Sequence, residues 1–327
     1  MVSGRNVRRI LLGVCVASCA CLGIDLARAA DYPAHAVHWV VPYPPAGSTD
    51  IVARLMGQWL SEHLGQQFII ENKPGAGNNI GTEAVVNAAP DGYTLLLVNP
   101  ANAINATLYR RLNFNFLRDI APVVGIIRVP NVMEVNPSVP AKTVAEFIEY
   151  AKAHPGKVNM ASSGNGTSVH LSGELFMAMT GVKLTHVPYR GSGPALTDMV
   201  AGTTQVMFDN LPSSIGHIRA GALRALAVTT AAPSDALPGI PPVGATVPGY
   251  EASAWFGVGV PKGTPTEVIA VLNKAINQAL KDPKIKARLA ELGGAPIGGT
   301  PEEFGALLTA ETEKWSKVVK FAGASIN

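Results

Sequence analysis

Two rhythms alternate along this chain. Residues 38–43 (HWVVPY) form an apolar run of β type. Ile51, Val52, Leu55, Met56, Trp59, Leu60 and Leu64 then recur at helical spacing until Gly65, a residue suited to ending a helix. Residues 68–71 read as a second strand, 78–88 as a second helix and 93–98 as a third strand. Such alternation predicts a parallel sheet with helical crossovers. Extended segments at 120–128 and 132–135, separated by Pro130, suggest a crossing between domains. A second series follows, with helices over 144–153, 169–179 and 195–200 and strands over 158–161, 185–187, 205–208 and 223–228. The stretch 233–248 is proline-rich and irregular. Residues 252–260 (ASAWFGVGV) return in extended form, and helices over 266–281, 283–292 and 301–320 close the chain.

Those closing helices need a sheet face to cover, and the first series has about three strands of its own. Adding 252–260 to that first sheet yields a discontinuous domain 1, residues 30–131 plus 253–327, and a continuous domain 2, residues 132–252. The fold class is α/β, with two chain crossings acting as a hinge. Ligands of such domains bind outside the carboxyl ends of the strands, here in the cleft between the domains.

Residues 1–29 stand apart. Arg5, Arg8 and Arg9 precede an apolar run from 10 to 22, and Ala27-Arg28-Ala29 fits a small-x-small cleavage site, so the segment reads as a signal peptide cut near Ala29 and Ala30. The expected location is the periplasm. A membrane anchor would need about 20 apolar residues, and Asp25 and Arg28 interrupt the run first. Residues 16–19 (VASC) resemble a lipobox, which keeps lipoprotein processing at Cys19 as a minor alternative. All three cysteines, Cys15, Cys19 and Cys21, fall in this leader, so the mature chain is expected to contain no disulfide and no thiolate chemistry.

Removing the leader also changes the charge. Four of the 26 basic residues and one of the 23 acidic residues lie within it, leaving 22 of each. A neutral body has no electrostatic means of following a phosphate backbone, which argues against nucleic acid as a partner.

Three strand-to-helix loops could carry chemistry. Residues 42–50 (PYPPAGSTD) combine stiffening prolines, small residues and a helix start whose N–H groups attract anions. Residues 161–170 (ASSGNGTSVH) offer two glycines, four hydroxyls and an amide on the opposing domain. Facing each other, these loops could hold a carboxylate without an arginine. The third, 71–81 (ENKPGAGNNIG), has G-x-G-x-x-x-G spacing rather than that of a dinucleotide fingerprint, and no P-loop exists, so no cofactor is expected. The seven histidines lack metal-ligand spacing, so no metal is expected. Ser163, His170 and Asp209 supply the residue types of a hydrolase triad, but no G-x-S-x-G elbow surrounds a serine. A secreted α/β hydrolase built on them is the rival reading. Residues 189–193 (YRGSG) and 208–210 (FDN) end strands on the same rim, where they could line the cleft or merely cap helices.

Loops 42–50 with Ala53-Arg54, 71–77, 90–94 (PDGYT), 162–167 with His170, and 188–191 (PYRG), in that order, resemble the Bug family, the TctC-type receptors of tripartite tricarboxylate transporters. The resemblance spans essentially the whole mature chain. It implies a two-domain Venus-flytrap (type II-like) periplasmic binding protein that captures a small carboxylate, such as a di- or tricarboxylate, amino acid or aromatic acid. It further implies delivery to a two-component membrane permease, or presentation to a sensor, by a monomer that catalyses nothing. Matching positions put ligand contacts at Ala46, Gly47, Ser48 and Thr49 and at Ser163, Asn165, Gly166 and Thr167; Tyr43, His170, Tyr189 and Asp209 complete the candidate set. Arg190 and Ala46 depart from the lysine and glycine frequent in that family. Cleft-facing Asp50 and Asp209 would favour an amino acid; turned away, they would favour a plain acid.

Overall fold

The computed structural model describes residues 32–324; the leader and both expectations about its processing lie outside that range. In the first half, β1 (Val37–Val41), α1 (Ser48–Leu64), β2 (Phe68–Asn72), α2 (Asn79–Val86), β3 (Thr94–Val98), α3 (Pro100–Leu108) and α4 (Phe116–Asp119) lead into β4 (Ile120–Val135). The second series comprises α5 (Val144–Ala153), β5 (Asn159–Ser162), α6 (Ser168–Thr180), β6 (Thr185–Pro188), α7 (Ser192–Ala201), β7 (Val206–Asn210), α8 (Leu211–Arg219) and β8 (Arg224–Val228). The chain ends with β9 (Ser253–Pro261), α9 (Thr266–Ala279), α10 (Pro283–Glu291), β10 (Ala295–Gly298) and α11 (Pro301–Ala322).

The strands form two arms that share β4. One arm runs β2-β1-β3-β9-β4-β10, and the other β8-β4-β7-β5-β6. β1 pairs in parallel with β2 and β3, and β5 with β6 and β7, as helical crossovers require. β9 lies antiparallel between β3 and β4 and is buried along its whole length. Its unbroken apolar sequence is what a strand covered on both faces needs. The second series, α5 to β8, therefore interrupts the first arm between β4 and β9.

β4 runs unbroken through Pro130, where the sequence suggested a separation. The ladder with β9 ends at Pro130, and those with β7 and β8 begin at Asn131 and Val132. The missing proline N–H thus falls where the strand changes partners, and the ladder tolerates it.

Helices α3 and α8 stand where the apolar pattern predicted none. The α3 sequence (PANAINATL) is rich in asparagine, a weak helix former, yet most of it is buried. Its capping box and N-terminal proline supply what periodicity does not. Separate apolar clusters lie around Trp39, Leu95 and Phe256 in the first arm and around Phe147, Phe176 and Phe208 in the second. α11 backs the junction: Trp315 and Phe304 share a cluster with Trp255 of β9 and Leu171 of α6. No described helix is long and apolar enough to cross a membrane.

Candidate functional site

Where the two arms meet, the first turns of five helices converge on one cavity. The first arm contributes Tyr43, Gly47, Ser48 and Thr49 around the start of α1, Asn99 and Pro100 at the start of α3, and Phe256 of β9. The second contributes Ser163, Thr167 and Ser168 at α6, Ser192 at α7 and Asn210 at α8. The caps of α1, α7 and α8, namely Gly47, Gly191 and Asn210, make no side-chain capping bond, which leaves first-turn N–H groups without that partner. Each helix end carries about half a positive charge. Among the described residues, no lysine, arginine, histidine, aspartate or glutamate lines the cavity. Its electrostatics therefore come from peptide dipoles, hydroxyls and amides aimed inward, a surface suited to an anion.

The arms are closed on one another. Ser48 Oγ lies 2.9 Å from Ser213 Oγ, accepts from the Ser213 N–H at 3.1 Å, and sits 3.3 Å from the Asn210 carbonyl. A Cβ on Gly77 would come within 2.3 Å of the Asn165 carbonyl oxygen, and one on Gly166 within 2.1 Å of Asn105 Oδ1. Both glycines have positive φ, so conformation and close approach each favour glycine there. About 20 Å³ of the cavity is open, room for one water molecule, so admitting a metabolite requires the arms to part.

Of the residues singled out in the sequence, Tyr43, Gly47, Ser48, Thr49, Ser163 and Thr167 are on the cavity wall. Ala46 is not; it takes a left-handed φ of 69° and donates its N–H to Asp50. Asn165 and Gly166 meet the first arm beside the cavity. His170 lies behind its loop, with Nδ1 accepting from the Gly166 N–H at 3.3 Å and Nε2 facing Glu174 at 3.3 Å. Tyr189 bonds Asp198 at 2.6 Å, and burial followed by that neighbour pushes its hydroxyl up to about 12. Asp209 is fully buried, accepting from Ser192, Ser213 and Ser214; burial raises its pKa against the pull of those hydroxyls.

The wall also includes residues outside that set. Ser168, Ser192 and Asn210 fall within segments whose chemistry had been noted, whereas Asn99-Pro100 had only its helix-start signature after an apolar strand. Phe256 had no signal, being one apolar residue within an apolar strand.

The triad expectation does not survive this geometry. Among the described residues, no hydrogen bond joins Ser163 to His170 or His170 to Asp209; Asp209 is held by three serines and His170 faces Glu174. Nor does Asp50 line the cavity. It accepts from Arg54 Nε, Asn72 Nδ2 and the Ala46 N–H within its own arm. Burial opposes ionisation of Asp50, but those donors outweigh it and hold the carboxyl below its ordinary range.

Comparison with known proteins agrees with this arrangement. Residues 52–324 match the tripartite tricarboxylate transporter family receptor, TctC. Protein BugT of Bordetella pertussis is 36% identical over 327 residues, covering 98% of this chain and 99% of its own. The structure of R. palustris Rpa4515 with adipate superimposes with a TM-score of 0.88 at 41% identity, covering 90% of this chain and 99% of that one. MatC from Rhodopseudomonas palustris with bound malate gives 0.84 at 31% identity, covering 88% and 100%. The inter-arm cavity thus sits in a two-domain binding-protein fold, and the chain belongs to the TctC-type receptor family of tripartite tricarboxylate transporters, the family of the Bug proteins.

Proposed function

We propose that this protein is a periplasmic, monomeric receptor, without catalysis of its own, that closes on a small carboxylate and hands it to a two-component membrane permease. The observation that carries this reading is the convergence of five helix N-termini on a cavity without a cationic side chain. Contacts come from the wall residues of the α1 and α6 loops, above all Ser48, Thr49, Ser163 and Thr167, joined by Asn99, Ser192 and Asn210. Charge-assisted hydrogen bonds contribute roughly 1.5–3 kcal/mol each. Three or four of them offset the several kcal/mol lost in desolvating a carboxylate. The domains divide at 131/132 and 252/253, supported by the change of β4 partners after Pro130 and the start of β9 at Ser253.

The ligand is an acid without an ammonium group. Asp50 is bound within its own arm and Asp209 is committed to three hydroxyls, so neither carboxylate is free to meet a cation. Adipate and malate in the similar structures are acids of this kind. Native mass spectrometry of protein purified without refolding, followed by a thermal-shift panel of mono- and dicarboxylates and amino acids, tests the reading. One acid bound per chain and recovered unchanged is expected. Ester turnover abolished by Ser163→Ala, or stabilisation only by amino acids, would contradict it.

A further inference from the structure

Behind the cavity wall, the loop between β5 and α6 hangs on two imidazoles. Ser162 Oγ accepts from the Gly164 N–H at 3.2 Å and lies 2.6 Å from Nε2 of His186 on β6. Its hydroxyl has one proton, and His186 Nε2 is the acceptor in reach, so Ser162 donates to the ring. The Gly166 N–H donates to His170 Nδ1 at 3.3 Å, which places the His170 proton on Nε2, facing Glu174. The two rings stack with centroids 4.1 Å apart and planes inclined by 16°. Two ring lone pairs are therefore spent on one loop, and that loop supplies Ser163 and Thr167 to the cavity.

Donor atoms of His170, Glu174 and His186 lie within 4.8 Å of one another, the residue set of a small metal site. Two features oppose that use. Near-parallel rings aim their lone pairs side by side rather than at a common point. A metal on His170 Nε2 would also require a proton on Nδ1, where Gly166 already directs an N–H.

Resting on the carboxylate-receptor reading, we propose that His170 and His186 are positioning residues whose unprotonated lone pairs hold the 162–167 loop in its binding shape, so that acidification weakens ligand capture. A proton on either acceptor nitrogen turns it into a donor facing an O–H or N–H, and the anchor is lost. The groups facing the pair are Glu174 on α6, which favours an imidazolium at His186, the Ser162 hydroxyl on β5 and the Gly166 amide; the His170 ring also opposes charge on His186. Burial first and His170 second, against Glu174, lower the His186 pKa to about 4 from its ordinary 6.5. The assembled loop thus selects the neutral ring, and its advantage shrinks as pH falls below that ordinary value.

Two measurements on the full chain test this. Imidazole nitrogen-15 spectra of the ligand-free protein near pH 7.5 should show unprotonated Nδ1 on His170 and unprotonated Nε2 on His186. Gly164 and Gly166 amide signals should shift in step with ring titration. A proton on either acceptor nitrogen, or amides indifferent to titration, overturns the proposal whatever the ligand is. Calorimetry with adipate as probe should give about tenfold weaker binding near pH 5 than near pH 7.5 in the wild type. The variant carrying both His170→Asn and His186→Gln, whose amide oxygens replace Nδ1 and Nε2 without titrating, should lose only the part of that affinity that protonation of adipate itself accounts for over the same range. Equal losses in both proteins would refute the coupling. Failure of adipate to bind near pH 7.5 counts against the ligand reading, and the spectra then decide the loop by themselves.

Discussion

Glu134 and Asp209 show how one residue's burial reaches the cleft. Both are fully buried on neighbouring strands, and Ser214 Oγ lies 2.7 Å from Glu134 Oε1 and 3.0 Å from Asp209 Oδ2. Burial, and then the charge of Asp209, raise the Glu134 pKa well above 4.5 and favour its protonated form, against the Ser214 hydroxyl, which pulls the other way. Folding therefore retains a proton that the unfolded chain releases. The associated stability is complete below about pH 4.5 and is lost as pH rises toward the folded value. Glu134→Gln, which keeps a donor and removes the titration, is expected to unfold within about 1 kcal/mol of wild type at low pH. It should lose less melting temperature than wild type as pH rises; parallel melting curves across the pH series would refute a protonated Glu134. Asp209→Ala, which takes the acceptor from the Ser192 hydroxyl and leaves Ser213 with the Asn210 carbonyl and Ser214 with Glu134, should cost about 1–3 kcal/mol in denaturant unfolding.

At the scale of elements, the site is a set of helix starts, and each cap has two duties. Thr167 Oγ1 accepts from the His170 N–H at 3.2 Å and donates to the Gly164 carbonyl at 2.8 Å, so the cap of α6 also closes the loop that faces the cavity. Thr167→Ala should cost about 1 kcal/mol of stability by chemical denaturation. It should also weaken carboxylate binding measured by calorimetry; unchanged affinity would separate the cap from the site. α1 differs, because Gly47 leaves its first-turn N–H groups without a side-chain cap and Ser48 Oγ instead reaches Ser213 of α8 across the cleft. Ser48→Ala removes that link, and about a tenfold loss of affinity is expected with little change in the unliganded melting temperature.

For the whole molecule, the proposed capture depends on how the two arms meet at their junction. Trp255, buried where β9 crosses the sheet, packs edge-on against Phe304 of α11 with ring centroids 6.2 Å apart. Trp255→Ala should cost about 3–5 kcal/mol in global unfolding, because the cavity it leaves lies between elements that cannot collapse onto it. The arms approach one another closely at Gly77 and Gly166. Gly166→Ala, whose methyl would strike Asn105 Oδ1, should hold the arms apart. It should abolish the ligand-induced fall in radius of gyration seen by small-angle scattering and weaken binding at least about tenfold. A variant that still contracts on ligand would show that the arms meet elsewhere.

Local pattern along the chain was enough for the elements whose periodicity is strong, the two α/β series, and the α1 and α6 loops, because apolar spacing and turn chemistry act over a few residues. It also carried the family, since five motifs in order need no coordinates to be seen. The remainder came from long-range packing. α3 forms because burial and a capping box outweigh the poor helix propensity of its asparagines, and β4 passes through Pro130 because strand partners change there. Asn99, Ser192, Asn210 and Phe256 reach one cavity from four distant segments, and Asp50 and Asp209 turn to donors of their own arms. Which dipoles converge on a point, and which carboxylates are already satisfied, depends on packing between residues far apart in the chain, where no local pattern can register it.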